Sequence, residues 1–479
     1  MRIIGNDPKT PRQTQVVASG TLSTGDAVVV NADGTVSGVS GSTANTGSRG
    51  TFTTDIPAKT DCVYDVGNDK VIILKGGGDA SAYVGTVSGS SLSFGTAQIF
   101  RSIYNVDHLV AKYDPDSGNI VIAYRDYTGY GTAIVGSVSG STMSFGTAVV
   151  FNSGSTQGID MCYDTSNNKI IITYKNDNNS DRGTAIIGTV SGTSISFGTA
   201  VTFTAGYLSS GLNNRATSCA YDSANNKVFV SYLNGTDSYA YGIVGTVSGT
   251  SISFGTASAM NSTASAYLQA EYDENSGKVV LAYTASSETP RSTYTLAATI
   301  SGTSVSAGTP SVMNNTMNSY WTRGVYDSSA KKVCFASAYY DGVLAGSAIY
   351  SVTVSGTSVS NTKETGTIDS ESHFGLAFES STNYLIHTFE DNNDGFYIMH
   401  RNASTNITAN NFIGTAQTGA SDGNRVVVNI KGAIDENQSG LTAGQSYYVQ
   451  NDGSLGTTAA DPSVFAGTAV SATKLIVKG

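Results

Sequence analysis

Along most of the chain, apolar and polar residues alternate in short runs separated by breaks rich in Gly, Asp, Asn and Ser, which predicts half-buried β-strands joined by tight turns. Two of these patterns recur. The first, GTVSGTSISFGTA, occurs letter for letter from Gly188 to Ala200 and from Gly245 to Ala257, with degenerate copies starting at Gly85, Gly136, Ala298 and Ser351. The glycines of the Ser-Gly pairs, Gly89, Gly140, Gly192, Gly249, Gly302 and Gly356, lie 51, 52, 57, 53 and 54 residues apart. A period near fifty points to a propeller or a solenoid array.

The second pattern runs at the same period: CVYDVGNDKVIIL, AKYDPDSGNIVIAY, MCYDTSNNKIIITY, CAYDSANNKVFVSY, AEYDENSGKVVLAY and GVYDSSAKKVCFAS, with a weaker seventh copy, LAFESSTNYLIHTF, around Phe378. In each, an apolar strand ends in Tyr-Asp, a polar turn follows and a β-branched strand returns, so each copy predicts a hairpin. A variable loop then leads to a third strand, a turn at Ser-Gly, and a fourth strand such as SISFGTAVTF. Four strands in about fifty residues make one propeller blade. The expected fold is all-β, a seven-bladed β-propeller of four-stranded blades over residues 56–407. A β-solenoid, the rival, stacks its coils in a line with caps at both ends and fits two tight turns per repeat less well.

Residues 1–55 and 408–479 lie outside the repeats and resemble each other. SGTLSTGDAVVVNADGTVSG in the first and SGLTAGQSYYVQNDGSLGTT in the second each place an alternating strand before an Asp-Gly hairpin turn. A propeller brings its ends together, so both termini are expected to fold jointly as one small β module.

Composition narrows the possible partners. Of 479 residues only 13 % are charged, the formal net charge is −10, and no Lys/Arg cluster is present, which argues against nucleic acid. The opening MRIIGNDPKTPRQ lacks the apolar core of a secretory signal, and no apolar run has the length of a membrane span, so neither export nor membrane insertion is expected. Cys62, Cys162, Cys219 and Cys334 sit in apolar strand segments and are expected to be buried free thiols.

The residues are open to several chemistries. His373, His387 and His400 fall in one repeat at spacings open to a metal, but are expected to be partly exposed imidazoles of a degenerate closing blade, with no metal and no cofactor. Asp114-Pro115-Asp116-Ser117-Gly118 and Asp177 to Asp181 resemble calcium loops yet lack the closing Glu, which leaves turn chemistry. Acidic residues such as Asp107, Asp126 and Glu288 are not selected in pairs by any motif, and there is no nucleophile elbow, phosphate loop or dinucleotide fingerprint. The expectation is therefore not an enzyme, with a glycan-cleaving propeller or a cellular adhesin as the alternatives.

Recognition is expected on the loops that differ from blade to blade, because variable loops on a rigid scaffold carry binding. Those loops hold Arg101, Tyr104, Tyr127, Tyr130, Tyr207, Arg215, Tyr239, Tyr241, Tyr267, Arg291, Tyr320, Trp321 and Tyr340. Aromatic planes with Arg and Asn suit sugar rings and protein surfaces alike. Trp321 fits equally as core of the sixth blade's first strand.

The stretch from Asn411 to Gly479, with Phe412-Ile413-Gly414-Thr415-Ala416, Gly440-Leu441-Thr442-Ala443-Gly444, Tyr447-Tyr448-Val449, Asp452-Gly453 and the closing Gly467 to Gly479, resembles a β module at the ends of structural proteins of tailed bacteriophages, especially marine phages. The resemblance covers about 70 residues, with a weaker echo at the other terminus. It implies a virion protein, either a head decoration or head fibre or a tail appendage, made in the host cytoplasm and exposed on the particle. It further implies attachment to other virion proteins through the terminal module, as a homo-oligomer, and contact with host-surface glycans or proteins through the loops. It implies no catalytic residues.

Overall fold

The computed structural model describes residues 12–55, 59–102, 106–209, 216–315, 318–340, 345–366, 368–369, 372–408, 410–460 and 462–478. Among these the protein is all-β and the sheets pair antiparallel, with one short 3-10 turn at Asp177–Asn179. The chain divides into two compact bodies, a repeat body of residues 45–401 and a terminal body of residues 1–44 and 402–479. The divisions thus fall at 44/45 and 401/402 rather than at 55/56 and 407/408.

In the repeat body each repeat is an antiparallel sheet of strands in sequence order. The first runs Lys59–Asp65, Lys70–Gly76, Ala80–Ser88 and Ser91–Phe94. The first strands of the six that follow are Asp107–Asp114, the latter part of Val149–Asp164, Thr217–Asp222, Ser265–Asp273, Asn318–Asp327 and Ser372–Glu379. Each lies beside the first strand of the next repeat, and the seventh lies beside the first, so these strands form a closed cycle. Between the repeats sit separate clusters of Val, Ile, Leu and Tyr from facing sheets. The alternation read in the sequence therefore buries both faces of each sheet against neighbours.

The fourth strand differs from its expected continuous form. It breaks at the Gly-Thr-Ala step into two short strands that both pair with the third, such as Ser194–Phe197 and Val201–Tyr207 against Arg182–Ser191. The glycine at the break explains both its presence and its repetition. Its N–H bonds back to the third strand, as Gly198 does to the Ile187 carbonyl at 2.9 Å. A Cβ on Gly198 would stand 1.9 Å from the Thr250 carbonyl oxygen in the turn of the next repeat, and Gly95, Gly146, Gly255 and Gly308 repeat that approach to Ser141, Thr193, Thr303 and Thr357 at 1.9–2.0 Å. The conserved-looking thirteen residues are thus two halves of one contact, a glycine and the Ser-Gly turn that it meets in its neighbour. The turn glycines take the left-handed conformation required of them, φ 56° at Gly192 and 59° at Gly249.

The seventh sheet takes its outer strand from the opposite end of the body. Asp394–Arg401 pairs with Asn45–Thr46 and Gly50–Thr53. Phe52 covers Gly395, where a Cβ would meet its ring at 2.4 Å, just as Phe203 covers Gly183 and Phe151 covers Gly131 in earlier repeats. This is why residues 45–53 belong to the repeat body. Thr51-Phe52-Thr53 repeats Thr202-Phe203-Thr204, a signal that was present in the sequence.

In the terminal body, strands from both ends combine in one five-stranded sheet, in the order Gln13–Val17, Arg425–Asn429, Phe412–Ala416, Ala27–Val30 and Val36–Gly38. A second sheet is built from Ile434–Asp435, Lys474–Val477, Phe465–Ser471, Ser446–Val449 and Leu455–Gly456. Val29, Phe412, Leu441, Val449 and Leu475 share one buried cluster. The Asp-Gly turns place Gly34 at φ 83° and Gly453 at φ 87°. All four cysteines are buried, and none is paired in a disulfide among the described residues.

Candidate functional site

Antiparallel order puts the first-to-second and third-to-fourth turns of every repeat at one end of its sheet and the remaining two connections at the other. The first end is uniform. The acid closing each first strand is buried and accepts hydrogen bonds from the turn that follows: Asp65 from Asn68 N–H at 3.1 Å, Asp164 from Ser166 N–H at 2.9 Å, Asp222 from Asn225 N–H at 3.0 Å and Asp327 from Ser329 N–H at 2.9 Å. Asp114 does the same for Asp116 and Ser117, so Asp114 to Gly118 is a turn held by its own carboxylate. Burial works against ionisation of Asp164, yet the bonds from Asn167 and Ser166 outweigh it and hold its carboxyl below the usual range.

At the other end the connections differ in every repeat, and the structure sorts the predicted residues into groups. Tyr127 and Tyr207, each 55 % exposed, Tyr340 at 43 % and Tyr130 at 38 % reach the surface. The Arg101 guanidinium lies 5.2 Å from the centre of the Tyr127 ring. Tyr239 and Tyr241 are half-buried; Tyr241 stacks on Tyr232 at 5.8 Å and donates to Asp237 at 3.1 Å. Tyr104 and Arg215 lie outside the described residues.

Tyr267 is the correction: at 2 % exposure it is core rather than surface. It packs on Trp321 at 5.3 Å and Tyr320 at 6.2 Å, while Arg291 lies 5.4 Å from the Tyr320 ring. Trp321 is half-buried, in the first strand of the sixth repeat, and the Lys59 ammonium is 5.7 Å from its ring. The cause is a device that the sequence did not reveal. Three first strands carry a bulge with a non-glycine residue at positive φ, His108 at 49°, Tyr267 at 51° and Trp321 at 24°. A bulge re-aims its side chain, and bulky residues rarely adopt this conformation. Lys59, Asp107, His108, Tyr267 and Trp321 thereby gather near the start of the cycle of first strands, with Lys59 3.5 Å from Asp107. Burial disfavours ionised Asp107, but His108, Lys59 and the His108 N–H together hold its carboxyl low.

Deeper along the same strands lies a polar layer. Asp61, Lys112, Asp160, Gln269, Glu271 and Arg323 border a cavity of about 40 Å³, room for a few water molecules but not for a sugar. Arg323 is buried, its Nε 3.9 Å from Asp61, and its Nε and Nη2 have no hydrogen-bond partner among the described residues. Burial raises the Glu271 carboxyl to about 7, against the pull of Lys112. Burial likewise raises Asp61, although Arg323 and the Ala111 N–H oppose it. The signal for this layer was legible as polar residues two or four places before each closing acid, in KTDCVYD, LVAKYD, GIDMCYD, LQAEYD and TRGVYD.

His387 and His400 are buried rather than partly exposed, and hydrogen bonds of the fold hold each of them. His387 is fully buried between the Gly375 carbonyl, 3.2 Å from Nδ1, and the Ser347 hydroxyl, 2.9 Å from Nε2. A carbonyl only accepts, so Nδ1 carries the proton and Nε2 accepts from Ser347. Burial lowers this imidazole to about 4. His400 Nδ1 lies 2.8 Å from the Thr46 hydroxyl. The side chain of His373 lies outside the described residues, and among the described residues no group of three His, Cys, Asp or Glu could hold a metal.

No protein-family description and no curated protein matches this chain. Among solved structures, the chain is similar to a triple-arginine mutant of AofleA from Arthrobotrys oligospora, at 7 % identity and a TM-score of 0.41, over 70 % of this chain and 92 % of that one. So distant a likeness carries no argument about activity.

Proposed function

We propose that the repeat body is a seven-bladed β-propeller and that the protein is a non-enzymatic binding component displayed on a tailed-phage particle. The cyclic adjacency of the seven first strands, closed by Gly50–Thr53 on the seventh sheet, supports the propeller. The terminal body, with its resemblance to phage structural modules, attaches the chain to other virion proteins as part of a homo-oligomer. The variable end of the blades contacts glycans or proteins of the host surface, and many copies turn weak contacts into firm attachment.

One observation carries the binding part of this reading. The uniform end spends its polar groups on its own turns, whereas the variable end leaves Tyr127 exposed in a turn and Tyr130, Tyr207 and Tyr340 exposed at the ends of strands whose positions neighbouring sheets enforce. Exposed aromatics on a rigid frame lose little entropy on binding.

Immunogold microscopy with an antibody to the repeat body, applied to purified particles from the source, tests the assignment. Label over heads supports a decoration protein, and label on tails supports host attachment. Particles without label overturn the virion reading, and sugar release from host-surface polysaccharide would replace binding with a glycan-cleaving activity.

A further inference from the structure

Second and third strands carry a recurring pair at the variable end. Tyr232 faces Tyr241 across the fourth repeat, Tyr283 faces Tyr294 across the fifth, and Phe389 faces Phe396 across the seventh, with rings stacked at 5.8, 5.6 and 6.0 Å. Each pair has an acid in the connecting loop: Asp237 accepts the Tyr241 hydroxyl at 3.1 Å, and Glu288 accepts the Tyr294 hydroxyl at 2.9 Å. In the seventh repeat the acid is Asp391, which holds Arg49 at 2.5 Å while the guanidinium covers Phe396 at 3.4 Å from the ring centre. The protein thus shows what this platform does when filled from within: a planar group stacks on the ring and its polar edge meets the acid.

Among the described residues no such arm reaches the fifth repeat. The platform instead opens on a pocket of about 370 Å³ between the fourth and fifth repeats. Met260 forms an apolar floor, Tyr283 and Tyr294 a flat wall, and Asn261, Thr263 and Glu288 a polar rim. Asn261 is fixed, its Oδ1 accepting the Ala240 N–H at 3.1 Å and its Nδ2 donating to Ser265 at 2.7 Å, while its side chain also serves the Tyr283 hydroxyl. Glu288 spends Oε1 on Tyr294, and its Oε2 takes no hydrogen bond among the described residues. The volume lies near the lower end of small-ligand sites. No lysine or arginine lines it among the described residues, and its carboxylate disfavours an anion.

A flat apolar wall beside a carboxylate acceptor matches a ring that has one C–H face and an edge of hydroxyls. We propose that this pocket binds a single ring of a neutral sugar, its C–H face on Tyr294 and its hydroxyls on Glu288. The proposal rests on the binding role argued above and names its ligand class.

The test is saturation-transfer NMR on the full chain with the methyl glycosides of galactose, mannose, fucose and N-acetylglucosamine, and with methyl glucuronide as the acidic comparison. Expected are transfer to the ring protons of at least one neutral glycoside, none to glucuronide, and affinity lowered at least about tenfold by Tyr294→Ala and by Glu288→Gln. Glu288 is a rim residue, so the Gln variant keeps the fold and separates lost binding from lost structure. Transfer to no neutral glycoside, or transfer unchanged in both variants, overturns the pocket. If transfer survives both variants but is lost in Tyr127→Ala/Tyr130→Ala, the loop face remains the binding surface and only the pocket falls. If the chain also fails to bind host cells, the wider reading falls with it.

Discussion

The Asp160 carboxylate reaches from the first strand of the third repeat to the fourth and accepts the backbone N–H of Cys219 at 2.9 Å, together with the Ser218 hydroxyl at 2.6 Å. Asp61 does the same for the Ala111 N–H at 2.9 Å, and Ser218 for the Ala270 N–H at 3.0 Å. An innermost strand has no neighbour on one side, so its free N–H groups need another acceptor. A side chain from the preceding repeat supplies it.

Asp160→Ala therefore strands a buried N–H and a hydroxyl, and is expected to cost about 1–3 kcal/mol. Chemical denaturation of the full chain measures it. A cost within error of an exposed substitution such as Ile99→Ala would show that water replaces the carboxylate without loss.

The two repeated glycines should respond differently to alanine. Gly192 has open space around it, so Gly192→Ala meets only the strain of a left-handed residue, about 1 kcal/mol. Gly198→Ala drives a Cβ into the Thr250 carbonyl and must push two repeats apart, with a loss of more than about 3 kcal/mol. Equal losses would contradict the paired-contact explanation of the repeat.

Closure by the N-terminal segment predicts that Phe52→Ala destabilises the repeat body by about 3 kcal/mol, because the ring is buried against Tyr83 at 5.4 Å and over Gly395. Hydrogen exchange should accelerate first in Asp394–Arg401, the strand that this segment covers. Acceleration spread evenly over all repeats would argue against a local latch.

Buried His387 and partly buried Glu271 bend stability with pH in opposite directions. His387 is lowered from 6.5 to about 4, so its contribution is complete above pH 6.5 and is lost as pH falls through 4. Glu271 is raised from 4.5 to about 7, so its contribution is complete below 4.5 and is lost as pH rises through 7. Glu271→Gln should therefore gain roughly 2–3 kcal/mol relative to the parent between pH 5 and pH 8. Unfolding midpoints across that range test the sign, and an imidazole of His387 that titrates near 6.5 by NMR would refute the first half.

Tyr127→Ala together with Tyr130→Ala removes two exposed rings, so stability should change by less than about 0.5 kcal/mol. If the variable end attaches the particle to its host, adsorption to host cells drops severalfold while the protein still incorporates into particles. Unchanged adsorption would move the binding surface elsewhere.

The sequence by itself determined what depends on neighbours in the chain. Alternation specified strands, Tyr-Asp and Ser-Gly specified turns, and the period specified repeats, because each is local chemistry that recurs wherever the residues recur. The tertiary structure alone decided what depends on residues far apart. It recruited residues 45–53 to the seventh sheet, since a strand edge accepts any matching partner regardless of sequence distance. It turned Tyr267 inward through a bulge that depends on pairing register rather than residue type. It also set Tyr294, Glu288 and Asn261 around one pocket, because two adjoining repeats contribute its walls and neither repeat encodes the space between them.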